Sequence, residues 1–191
     1  MSASRHVVRA FRVAWAKAAT RRGLVSTLLI VVAPLFAAVN DVIPALETTA
    51  LDNQKVAIPA PAPRKAYILI FGFQRDSDKP MAAWDHLIAP AYAGNPQIGY
   101  YAIPVLEGVP GLIKPVILRG MRRSLSPEQQ SRYAPIFEGA AAIKKAVDFG
   151  DAHFAYVTVI SPERRVVWST HAAASEQAFV QLRKALEPLL K

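Results

Sequence analysis

The sequence predicts an α/β fold, a mixed sheet held between helices in a three-layer α/β/α sandwich and preceded by an N-terminal hydrophobic helix. Three observations carry this. AYILIFGF, a helical stretch and IGYYAIPVLE form a strand, helix and strand in succession, which requires a parallel pair with a right-handed crossover. HFAYVTVI and RVVWST are joined by SPER, a connection short enough only for an antiparallel hairpin. An amphipathic helical stretch closes the chain.

At 191 residues and 52% hydrophobic content the chain holds one domain with a real core and a tail. The formal net charge of +9 is unevenly placed. Arg5, Arg9, Arg12, Lys17, Arg21 and Arg22 all precede the first acid, Asp41, leaving 17 basic and 14 acidic residues for the remainder. Positive charge gathered in a leader argues against a nucleic-acid partner. With no cysteine in the chain, disulfides, thiol redox catalysis and thiolate metal sites are excluded. His6, His86, His153 and His171 lack metal-ligand spacing, and no phosphate-loop, dinucleotide or nucleophile-elbow motif is present. Neither a cofactor nor a metal is expected.

Residues 1–22 form a basic, acid-free segment, and Gly23 to Val39 follow without a charge. As a helix these seventeen residues cover about 25 Å, near the lower limit for a membrane span. An apolar run behind a basic flank reads as a transmembrane anchor or a secretory signal. Leu35 and Phe36 stand where a cleavage site needs a small residue, which favours the anchor. The positive-inside rule then gives a single-pass inner-membrane protein with everything after Asn40 on the periplasmic or extracytoplasmic side. SRHVVRAFRVAWAKAATRRG also fits a mitochondrial presequence, so the mitochondrial inner membrane is the alternative. Residues 40–64 end in AIPAPAPR and are expected as a Pro/Ala-rich spacer, with a short strand possible in LDNQKVAIP.

The folded domain is expected over 65–191. AYILIFGF is continuously apolar, as in a strand buried on both faces. A helix follows, with Asp76, Ser77 or Asp78 as cap, Pro80 in the first turn and Met81, Trp84, Leu87 and Ile88 at helical spacing. Pro90 is expected to distort or end it. Trp84 reads as core, whereas Asp85 and His86 are assigned to other faces. GVPGLIKPVILRGMRRS, broken by prolines and glycines, reads as an irregular helix. SPEQQ carries Ser126 as cap and Gln129 three residues later, a capping box. AAAIKKAVDFG reads as a short helix ending at Gly150. In the last helix Ser175 is the cap, and Phe179, Leu182, Leu186 and Leu189 mark one face.

This order of elements resembles the thioredoxin fold. FGFQRDSDKPMAAW, YAIPVLEGVPGLIKPVILRGMRRSLSPEQQSRYAPIF and FAYVTVISPERRVVWSTHAAASE further resemble the family of assembly factors for the membrane sector of mitochondrial ATP synthase and its bacterial relatives. That family is similar to thioredoxin-like and peroxiredoxin-like proteins. The resemblance runs from Lys65 to the end and implies a membrane-associated, non-redox thioredoxin-like domain acting on another protein. The sequence departs from it after Trp168, where Ser169, Thr170 and His171 lack an expected glycine.

Gln74, Arg75 and Asp76 occupy the loop where a thioredoxin carries its cysteines, and none of them is a redox nucleophile. Arg75 and Asp76 are candidate contacts for a ligand or partner. Lys114, Arg119, Arg122 and Arg123 form the main basic cluster outside the leader, suited to an acidic protein partner or anionic lipid headgroups. The function expected is a membrane-tethered binding or assembly-factor protein. The alternative is a peroxiredoxin-like enzyme with non-thiol chemistry at Arg75, Asp76 or a histidine.

Overall fold

The computed structural model describes residues 41 to 191. Two short strands come first: β1 (Leu46–Thr49) and β2 (Lys55–Ile58) pair antiparallel, with Leu46 opposite Ile58. Ile43, Leu46, Leu51, Val56 and Ile58 are buried. The segment expected as a spacer is thus part of the domain as far as Ile58, because Ile43, Leu46, Val56 and Ile58 pack into one layer of the core and Leu51 into the other. Pro61, Ala62 and Pro63 do lie exposed. The 1–22 segment and the 23–39 anchor or signal segment lie outside the described residues. Among the described residues no helix is long and apolar enough to cross a membrane.

Every residue of β3 (Ala66–Gly72) is buried, as its unbroken apolar run requires. A turn of 3-10 helix (Arg75–Ser77) leads into α1 (Asp78–Tyr92), which continues through Pro90 instead of ending there. β4 (Ile98–Pro104) lies parallel to β3. After it come α2 (Lys114–Ser124), α3 (Pro127–Gln130) and α4 (Ala140–Ala146). The Pro- and Gly-rich stretch expected as an irregular helix is therefore a regular α2 from Lys114, with Pro115 in the first turn where its missing N–H has no helical partner to lose. Helix α4 stops at Ala146, before the expected Gly150. The capping box forms as read: Ser126 Oγ accepts from the Gln129 N–H, and the Gln129 side chain accepts from the Ser126 N–H.

β5 (Ala155–Ile160) and β6 (Val166–Thr170) make the antiparallel hairpin, and α5 (Glu176–Leu190) starts from a Ser175 cap. The sheet order is β4-β3-β5-β6, mixed because β3 is parallel to β4 and antiparallel to β5. Alternation along β3 divides the core. Ile68 and Ile70 join Met81, Trp84 and Ile88 of α1 and Leu182 and Leu186 of α5 on one side. Tyr67, Leu69 and Phe71 join the β1–β2 hairpin and Ile143 of α4 on the other. A Cβ on Gly99 would overlap the Tyr67 ring on the neighbouring strand, so glycine is required there. Both sheet edges receive short bridges, from Tyr133 and Ile136 along β4 and from Val42 beside Arg165.

Candidate functional site

The end of β3 delivers the chain to the N-terminus of α1. Gly72 permits this turn, since a Cβ there would overlap Met81 and Ser77. Ser77 is fully buried and its hydroxyl donates to the Gln74 carbonyl at 2.6 Å. Arg75 and Asp76 are left pointing into solvent, within a 3-10 turn where a loop was expected. Asp76 Oδ2 lies 3.7 Å from Nε2 of His153. His153 Nδ1 lies 2.7 Å from Asp151 Oδ1, which also accepts the His153 backbone N–H at 2.8 Å. Hydrogen bonding to Asp151 and its negative charge push the His153 imidazole up. Burial pushes Asp78 up, opposed by Arg75 and reinforced by Asp76. Phe154, 44% exposed, stands beside the His171 ring at 5.6 Å.

The structure therefore gathers Arg75, Asp76, Asp151, His153 and Phe154 at one end of the sheet, an exposed surface carrying both charges and an aromatic ring. It offers contacts from exposed side chains. No group of carboxylates and histidines among the described residues is arranged to hold a metal ion. The sequence presents His153 only as one of four histidines and Phe154 only as part of a strand, because their meeting with the α1 end depends on the return of a strand far along the chain.

A second polar centre is structural. Asp85 is 3% exposed and accepts from Arg132 Nε at 2.9 Å, Arg132 Nη2 at 3.1 Å, the Tyr100 hydroxyl at 2.6 Å and Gln129 Nε2 at 3.2 Å. Burial pushes its carboxyl up, but the bonds from Arg132, Tyr100 and Gln129 outweigh this and hold it below the usual range. Burial and the adjacent carboxylate push Tyr100 well up, so its hydroxyl stays a donor. Asp85, expected on another helical face, belongs to the buried stripe with Met81 and Ile88. The signal was present in the spacing, since Asp85 follows Met81 by four residues and precedes Ile88 by three.

The four basic residues on α2 do not act alike. Arg122 donates to the Leu51 carbonyl at 2.6 Å and to Asn53 Oδ1 at 3.0 Å, tying α2 to the β1–β2 hairpin. Lys114 Nζ lies 4.4 Å from the centre of the Phe137 ring. Arg119 and Arg123 are exposed and make no ion pair among the described residues. The cluster read as one basic patch is thus two engaged cations and two that face solvent.

Fold and site together define a thioredoxin-like domain without a thiol centre. No model of a known protein family and no curated protein matches the chain. Solved structures do. A candidate electron transfer protein from Aquifex aeolicus is 14% identical, with 78% of this chain and 97% of that one covered at a TM-score of 0.55. A candidate protein disulfide isomerase from Bacteroides thetaiotaomicron is 16% identical, over 79% and 89%, at 0.54. The exposed lipoprotein thioredoxin of Streptococcus pneumoniae is 12% identical, over 74% and 98%, at 0.51. Likeness at this identity establishes the fold; the absence of cysteine separates this chain from the thiol chemistry of the fold.

Proposed function

We propose that this protein is a membrane-tethered, non-redox thioredoxin-like binding protein that acts on another protein, as the resemblance to ATP synthase assembly factors implies. The observation that carries the reading is the α1 N-terminus. Arg75, Asp76, His153 and Phe154 form an exposed charged and aromatic surface at the position of the fold's reactive cysteines. A surface with an exposed ring and an arginine suits a polypeptide partner, for which aromatic and Arg side chains are the usual anchors. Placement at the inner membrane, on the extracytoplasmic side or in mitochondria, rests on the sequence of residues 1–39. Three residues, Asn40, Asp41 and Val42, lie in the sequence between the apolar run and Ile43, the first buried one among the described residues.

A photo-crosslinker at Phe154 in native membranes tests the reading. One reproducible protein adduct, lost in Arg75→Glu and Asp76→Lys, is the expected result; a chain found only in the soluble fraction and without an adduct refutes it. The second reading, an enzyme with non-thiol chemistry, draws on the Asp151–His153 pair. Peroxide and disulfide turnover should be blank. Turnover abolished by His153→Ala or Arg75→Ala would establish the enzyme instead.

A further inference from the structure

Leu112, Ile113 and Val116 are 93%, 48% and 66% exposed, a cluster of large apolar side chains where α2 begins. The far side of the helix is satisfied, because Leu118, Met121 and Leu125 pack on the core. Helical spacing sets Arg119 and Arg123 one and two turns beyond Val116 on the same outward face. Residues 108 to 127 contain no acidic and no aromatic side chain. An exposed apolar tip flanked by unpaired cations and free of acids is the composition of a surface that rests in an anionic bilayer interface. Of the usual protein-binding anchors this segment offers only arginine, the side chain that lipid phosphates also recruit.

We infer that the outward face of α2 docks on an anionic lipid surface. Leu112, Ile113 and Val116 enter the headgroup boundary, and Arg119 and Arg123 lie along it with their guanidinium groups at lipid phosphates. Arg122 fixes the helix to the hairpin, and Lys114 lies over Phe137, so the face is presented in a set orientation. This deepens the membrane reading above and rests on it, while assigning the lipid contact to a surface other than the one that meets the protein partner.

Because the chain has no cysteine, Leu112→Cys gives a single labelling site. The full chain, carrying an environment-sensitive fluorophore there, is reconstituted into vesicles of phosphatidylcholine, with and without phosphatidylglycerol. Val180→Cys, on the exposed side of α5, is the control. The expected result is a blue shift and quenching by a lipid-borne quencher at position 112, in anionic vesicles only, with position 180 unchanged. Arg119→Gln combined with Arg123→Gln should lower the docked-to-free ratio about 25-fold, at about fivefold per cation near an anionic surface. A label at 112 that stays in water in both lipids overturns the inference. So does shielding that is indifferent to lipid charge, or that appears only when a protein partner is bound. A chain that fractionates with membranes while its 112 label stays in water keeps the membrane reading and loses this one.

Discussion

Asp85 shows how much can rest on one side chain. Three neighbours donate to it inside the domain, and removing it would leave the Arg132 guanidinium, itself only 13% exposed, without its partner. Asp85→Ala should therefore cost about 3–5 kcal/mol, the usual penalty for breaking a buried pair, measured by urea unfolding. Its folded pKa lies below its unfolded value. The associated stability is fully present above about pH 4 and is lost as pH falls through the folded pKa. Unfolding midpoints measured from neutral to acid pH should decline at the acid end, and less steeply in Asp85→Asn. His153 differs because it is exposed: it takes its proton more readily than a free histidine, which alters surface charge at the α1 end without a comparable effect on stability.

At the scale of elements, α2 is held by a few contacts from one side. It contributes no fully buried residue, and Arg122 supplies two of its bonds to the hairpin. Arg122→Ala should destabilise by about 1.5–3 kcal/mol, as expected for charged hydrogen bonds. Arg119→Ala and Arg123→Ala should stay within about 0.5 kcal/mol of the parent protein. Thermal unfolding of the three variants separates structural from surface-facing cations. A uniform response across them would mean that α2 is not anchored through Arg122.

For the whole molecule, the decisive element is the β1–β2 hairpin. Ile43, Leu46, Leu51, Val56 and Ile58 are buried, at about 1.5–3 kcal/mol for each large side chain. Their sum is comparable with the about 5–15 kcal/mol that holds an ordinary domain together. A chain beginning at Asp41 should unfold cooperatively, whereas one beginning at Lys65 should lose cooperativity and bind a hydrophobic dye. Equal unfolding of the two chains would restore residues 40–64 to the status of a spacer.

Strands β3 to β6, the crossover, the β5–β6 hairpin, the capping box and the lack of thiol chemistry were determined by the sequence alone. Each is written in a local period, in a turn dipeptide or in composition, and needs no distant partner to be read. Tertiary structure decided the rest. Asp85 meets Gln129 and Arg132, 44 and 47 residues away, and Arg122 reaches back 71 residues to Leu51. Pairings over such separations leave no local pattern, so a buried acid resembles a surface one and an anchored arginine resembles a free one until the chain has closed. The same closure brought His153 to Asp76 and turned Leu112, Ile113 and Val116 outward, because only the packed core determines which apolar side chains remain uncovered.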